Sequence, residues 1–235
     1  MPGYIPTALH KFQHKPPSYT QDAPHPCNKP VYGKHIQFAT QKSYTPKLNS
    51  AYTNRVQSIN GTLFYYAIAV YPTILPYINK ISTFQYLPTQ YTMAKYNQVI
   101  DYSSMNPNVT IRYHASDMSL MMYIDDACLI LPASHIHISG HYYFKNHIIE
   151  YSKATPPPNV PISALHKTLK TVVFSYAEEE TGGPFENAQH LIPLRHILET
   201  VFLHQQPTKV SPIYKDNSTY QGIINNFIKP RKSKT

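Results

Sequence analysis

The chain has 235 residues, and 42% of them are apolar, which is enough to build a folded core and excludes a chain that is disordered throughout. Its 21 Lys and Arg residues outnumber its 12 Asp and Glu residues, so the formal net charge is +9. This excess favours a polyanionic partner such as nucleic acid. The two cysteines, Cys27 and Cys128, exclude a disulfide framework, and neither has the paired spacing of a zinc site.

The longest apolar stretch, residues 63–75, is too short for a transmembrane helix, which needs about 20 apolar residues. Pro72 also interrupts this stretch. The sequence shows no pattern of a secretory signal. We therefore expect a protein of the cytoplasm or nucleus that is not secreted and has no membrane partner.

The first half of the chain is predicted to contain two regions. Residues 1–53 are rich in proline and lack periodicity, which predicts an extended, irregular arm. Residues 54–106 carry apolar side chains at helical spacing. This spacing predicts a small helical subdomain of three helices, the third capped by Thr89. The predicted helices start near residues 54, 75 and 89 and end near residues 71, 86 and 102.

From residue 107 onward the apolar pattern becomes typical of strands. The predicted strands cover residues 109–113, 119–131, 136–144, 168–175 and 210–214. One helix is predicted before the last strand, over residues 177–204, and another after it, over residues 217–228. Such an order favours a mixed sheet with helices packed on it, which is an α+β (α/β) fold class.

Acidic residues are scarce, and three of them occupy positions with structural meaning. Asp126 interrupts an apolar strand, Glu180 stands at the start of a helix, and Asp216 follows a strand. Carboxylates placed in this way can converge at one edge of a sheet, and such hard oxygen ligands suit Mg²⁺ or Mn²⁺. Two simpler interpretations stay open, since Glu180 could interact with the helix dipole and Asp216 could cap the next helix.

Several segments together carry a family resemblance. The first group is MPGYI at 1–5, HKFQH at 10–14, KPVYG at 29–33 and GTLFYYAIAVYPT at 61–73. The second group is HASDM at 114–118, DA at 126–127, GHYY at 140–143, SYAEEE at 175–180 and DNSTYQGIINN at 216–226. In this order and with these gaps, the chain resembles the region that follows the reverse transcriptase in Pol polyproteins of copia-type LTR retroelements, including the ribonuclease H domain.

The resemblance implies an RNase H-like mixed sheet over residues 107–235, preceded by the helical connection segment 54–106 and the arm 1–53. It also implies that Asp126, Glu180 and Asp216 are catalytic residues that bind two Mg²⁺ (or Mn²⁺) ions. These ions would promote hydrolysis of the RNA strand of an RNA–DNA hybrid. The implied partners are an RNA–DNA hybrid or another nucleic acid and the reverse transcriptase portion of the parent polyprotein. Candidate nucleic-acid contacts are Asn217, Ser218, Lys229, Arg231 and Lys232.

Two alternatives compete with an active enzyme. The family has a fourth carboxylate after a basic segment matched by residues 231–235, and the sequence ends before it, which predicts a domain truncated at its C-terminus. An inactive remnant that is vestigial, or that only binds nucleic acid, is therefore the main alternative. The even spacing of His135, His137 and His141 along a strand also suits zinc ligands, although exposed histidines are the simpler interpretation. The basic tail could likewise be a solvated chain end.

Overall fold

The structure is a computed structural model of the chain, and it divides into two compact units. The first unit ends at Ile111, and the second takes most of its residues from Arg112 onward. The residues that the structure describes are 1–26, 45–116, 118–127, 136–145, 159–169, 176–203, 210–216, 220–222 and 225. Among the helices within these ranges, none combines the length and the apolar character needed to cross a membrane.

The first unit is helical. Its elements are α1 (Tyr4–Lys11), α2 (Ser50–Ala69), a 3₁₀ turn (Pro72–Ile74), α3 (Leu75–Ser82) and α4 (Gln90–Met105). The buried residues of α2 and α4 recur at three- and four-residue spacing, as in Val56, Ile59 and Leu63. At the start of α4, the Thr92 amide donates to Thr89 Oγ1 (3.4 Å) and the Thr89 amide donates to Thr92 Oγ1 (3.2 Å). This capping box confirms the predicted helix start.

The N-terminal residues differ from the predicted irregular arm, because Tyr4–Lys11 form a helix. Ile5, Ala8 and Phe12 are buried, and the Tyr4 ring stacks on Tyr66 with 5.5 Å between centroids. Pro6 falls in the first turn, where a missing amide hydrogen costs little. Proline content was therefore a poor guide at this position. Residues 27–44 of the predicted arm lie outside the described residues.

The second unit contains a four-stranded mixed sheet, which confirms an α+β class. Its strands are β1 (Ser119–Ala127), β2 (Ile136–Lys145), β3 (Ser163–Leu169) and β4 (Ile213–Tyr214). The strand order is β3-β2-β1-β4. Successive strands β1, β2 and β3 pair antiparallel, whereas β4 pairs parallel to β1. The central strands are therefore the two that the sequence pattern predicts most directly.

Two strand predictions need correction. Residues 109–113 are not in a strand. The next residue, His114, is instead held by the side chain of Asn159. The His114 amide donates to Asn159 Oδ1 (2.6 Å), and Asn159 Nδ2 donates to the His114 carbonyl (3.0 Å). The strand predicted at 168–175 begins at Ser163. Its first half is too polar to stand out in the sequence, and residues 170–175 lie outside the described residues.

Helix α5 (Tyr176–Ile197) covers one face of the sheet and continues into a π-helical segment, Leu198–Leu203. The helix passes through Pro184 and Pro193. Leu191 and Leu198 are buried, whereas Ile192 and Val201 are each 66% exposed. The buried side chains pack in one cluster with Leu120, Met122, Ile124, Tyr142 and Phe144.

Replacing two glycines by alanine should change the free energy of unfolding in opposite directions. A Cβ atom on Gly140 would lie 1.7 Å from Asn187 Oδ1, whereas one on Gly61, within α2, would meet nothing within 4 Å. We expect Gly140→Ala to lower the free energy of unfolding by about 1–3 kcal/mol through overpacking. Gly61→Ala should raise it by about 1 kcal/mol because alanine favours the helix. Urea denaturation measures both, and equal effects of the two substitutions would contradict this packing.

Candidate functional site

Asp126 and Asp216 lie at the ends of two parallel strands that pair with each other. Tyr123 of β1 is opposite Tyr214 of β4. Asp126 follows Tyr123 by three residues, and Asp216 follows Tyr214 by two. Because neighbouring parallel strands leave a sheet at the same edge, the backbone carries both residues to one edge. We call it the carboxyl edge, defined by Asp126, Ala127 and Asp216.

The direction of α5 follows from its contacts with β2. Asn187 lies against Gly140, and the His190 ring lies 4.9 Å from the Tyr142 ring. Residue numbers therefore rise together along α5 and β2, so the helix runs antiparallel to β1. The N-terminal turns of α5 consequently extend toward the carboxyl edge.

An ion pair shows where α5 lies relative to the ends of the strands. Asp126, Ile138 and Lys167 are register partners across β1, β2 and β3. Lys167 Nζ lies 2.7 Å from Glu186 Oε2. Glu180 precedes Glu186 by six residues, which is about 9 Å along a helix. The turn that contains Glu180 therefore lies at the same end of the sheet as Asp126.

The predicted site residues are described to different extents. Asp216 is described in full and its side chain is exposed. Of Asp126 and Glu180, the structure describes the backbone only. The predicted nucleic-acid contacts all lie outside the described residues: Asn217, Ser218, Lys229, Arg231 and Lys232. The backbone thus directs all three predicted catalytic residues to one edge, while the predicted metal ligation stays a prediction.

The face of the sheet that α5 does not cover carries a group of three histidines. His141 Nε2 lies 3.3 Å from His166 Nε2, and the His137 ring lies 5.8 Å from the His166 ring. Burial, together with His141 and His137, lowers the pKa of His166 to about 3. Burial also lowers the pKa of His141. His166 is therefore neutral at physiological pH.

These histidines bear on the zinc interpretation. His137 and His141 share a strand face, as the spacing predicts, and His135 lies outside the described residues. Within the part of the chain that the structure describes, no three His, Cys, Asp or Glu residues are arranged to hold a metal ion.

Sequence reasoning missed two polar residues that position α5. Asn187 is fully buried in the helix, where Tyr142 Oη donates to its Oδ1 atom (2.7 Å) and its Nδ2 atom donates to the Gly183 carbonyl (2.9 Å). Glu186 binds Lys167 of β3. No local pattern marks Asn187, because its helix neighbours Gly183, Pro184 and His190 are not an apolar set. The ion pair had no local signal either, because it depends on a strand that was predicted too late in the chain.

Comparison with known proteins does not identify a family for this chain. A comparison of the chain with protein-family models, with curated proteins and with solved structures finds no significant match. The function is therefore inferred from the residues and from the backbone geometry described above.

The buried histidine predicts how stability depends on pH. The pKa of His166 is about 3 in the folded protein and about 6.5 when unfolded. The unfolded chain therefore binds the extra proton first, and stability falls as the pH drops from 6.5 toward 3. This residue alone contributes a slope of up to about 1.4 kcal/mol per pH unit.

Urea denaturation at pH 7 and pH 5 measures this slope. His166→Gln should reduce the loss of stability between the two pH values. His196→Gln, which replaces an exposed histidine of α5, should leave the loss as in the parent chain. Equal slopes for the two variants would contradict the burial of a neutral His166.

Proposed function

We propose that the second unit is an RNase H-like hydrolase that cleaves the RNA strand of RNA–DNA hybrids. In this proposal Asp126, Glu180 and Asp216 bind two Mg²⁺ or Mn²⁺ ions, which would activate water and stabilise the leaving oxygen. The proposal rests on one observation: the backbone carries three of the few acidic residues to the carboxyl edge. Asp126 lies near the end of β1, Asp216 follows β4, which pairs parallel to β1, and Glu180 stands in the first turns of α5, which begins at this edge.

The charges at the carboxyl edge suit a divalent cation. Carboxylates brought close together repel each other, so each needs a cation or a proton. Glu186 already has the Lys167 ammonium as its partner, which leaves it a structural role. Oxygen ligands of this kind are those that Mg²⁺ and Mn²⁺ prefer. The donor set at the carboxyl edge therefore fits the proposed ions.

Lys215 adds a positive group beside the same edge. It directly precedes Asp216, and its Nζ atom lies 5.2 Å from the centre of the Tyr220 ring. A cation and an aromatic ring next to the carboxylates suit a phosphodiester substrate, which brings both negative charge and stacking surfaces. Lys215 would orient the scissile strand, while the carboxylates would bind the metal ions.

The resemblance also supports the wider context of this proposal. It adds a reverse transcriptase portion of a polyprotein as a partner, while the cytoplasmic or nuclear location rests on the sequence pattern alone. The net charge of +9 is consistent with a nucleic-acid partner. These partners and this location stay predictions.

Hydrolysis of a labelled RNA–DNA hybrid in Mg²⁺ or Mn²⁺ tests the proposal. Asp126→Asn should lower the cleavage rate by more than about 100-fold, since loss of an outer-shell partner of a metal ligand already costs 10–100-fold. Asp125→Asn is the matched control, because it removes the neighbouring carboxylate, which is exposed and has the opposite strand parity. The control variant should cleave at nearly the parent rate.

The same assay separates the alternatives. Binding of the hybrid without metal-dependent cleavage by the parent chain would favour the inactive, nucleic-acid-binding remnant. Equal cleavage by the parent and by Asp126→Asn would remove the carboxyl edge as the active site. Calorimetric titration with Mn²⁺ gives an independent readout, and Asp126→Asn should weaken this binding where Asp125→Asn does not.

A further inference from the structure

The positive charge of the chain is concentrated in its helical half. Residues 1–111 contain nine Lys and Arg residues and only two acidic residues, so they carry +7 of the net charge of +9. One of the two acids, Asp101, is partnered by His14, whose Nε2 atom lies 2.6 Å from its carboxylate. A surface on this unit therefore offers a polyanion little repulsion.

The loop between α3 and α4 and the first turn of α4 expose a group of large apolar side chains, which we call the aromatic patch: Phe84, Tyr86, Leu87 and Tyr91. The side chain of Tyr86 is 82% exposed and that of Leu87 is 60% exposed. Tyr91 and Phe84 are also exposed. Isolated exposed residues of this kind are ordinary, whereas several in one short segment indicate a binding surface.

Two lysines border the aromatic patch. Lys95 Nζ lies 4.4 Å from the centre of the Tyr91 ring and 6.0 Å from the centre of the Phe84 ring. Lys47 is exposed and its backbone pairs with Thr89, two residues from both Leu87 and Tyr91. The patch thus combines aromatic faces with ammonium groups in one place.

The backbone under the aromatic patch is anchored to α2. Asn60 Nδ2 donates to Gln85 Oε1 (3.1 Å), and Gln57 Nε2 donates to the Gln85 carbonyl (3.4 Å). The Leu48 amide donates to the Pro88 carbonyl (3.0 Å). Side chains displayed on a fixed backbone lose less entropy when a ligand binds.

We propose that the aromatic patch, with Lys95 and Lys47, binds single-stranded nucleic acid. Exposed rings stack on unpaired bases, and lysines beside them neutralise phosphates, which is the combination that single strands require. Duplexes keep their bases stacked on each other and offer no free base face to Tyr86. The charge of the unit favours this polyanion over a protein partner, which would meet an excess of seven positive charges. The inference does not depend on the proposed hydrolase activity.

Fluorescence anisotropy of labelled oligo-U and oligo-dT with the full chain, in EDTA, tests this proposal. Tyr86→Ala and Tyr91→Ala should each weaken binding by at least about fivefold. Lys95→Gln should reduce the slope of log affinity against log salt by about 0.7, the value for one phosphate contact on a single strand. A duplex of the same length should bind more weakly than the single strand.

Matched variants of the same unit serve as controls. Tyr65→Ala replaces a tyrosine that is 57% exposed but lies against Tyr4, and Lys15→Gln replaces another exposed lysine. Both controls should bind single strands like the parent chain. Equal weakening by Tyr65→Ala and Tyr86→Ala, or absence of single-strand binding by the parent, would overturn the proposal. Self-association that Tyr86→Ala abolishes, without an effect on oligonucleotide binding, would overturn it in favour of a protein interface.

Discussion

The contact of Asn187 with Gly140 and Tyr142 is the interaction on which the arrangement of the second unit depends. Gly140 lacks a side chain where the Asn187 amide reaches the sheet, and the Tyr142 hydroxyl donates to that amide. A buried amide is costly unless its hydrogen bonds are made, so this contact allows one position of α5 along β2. The apolar cluster with Leu191 and Leu198 supplies most of the buried surface, but apolar contacts are less specific in direction.

The two units of the chain differ in how their charges are distributed. The helical unit holds most of the net positive charge and few acids, whereas the sheet unit holds ten of the twelve acidic residues. A negatively charged chain would be attracted more strongly to the first unit, which has an excess of seven positive charges, than to the second, which has an excess of two. Charge alone therefore favours contact of a polyanion with the first unit.

The sequence predicted α2, α3 and α4 of the first unit and the two central strands because their signals are local. Thr89 caps its own helix, β1 has a nearly continuous apolar run, and β2 alternates Ile136 and Ile138 with polar residues before its aromatic end. Helix α1 was not predicted because the region is rich in proline and the helical spacing of its apolar residues extends over only a short segment. The start of β3 was misplaced because Ser163–Leu169 is a polar strand, and its partners are determined by pairing with β2 rather than by its own composition.

The candidate site was predictable in its residues but not in its geometry. Scarcity of acids and the family resemblance singled out Asp126, Glu180 and Asp216. Their direction to one edge depends on the parallel pairing of β4 with β1 and on the polarity of α5, which no local pattern encodes. The histidine group depends on the same kind of information, since His166 reaches His141 only through the register of β3.

The short strand β4 also has a consequence for the order of folding. Strands β1, β2 and β3 pair with their neighbours in sequence, so they can associate as soon as that part of the chain is available. The two residues of β4 must instead return to β1 across the whole intervening chain, and closing so large a loop costs more entropy and is slow. We therefore expect the carboxyl edge to be completed last during folding, after the antiparallel part of the sheet has formed.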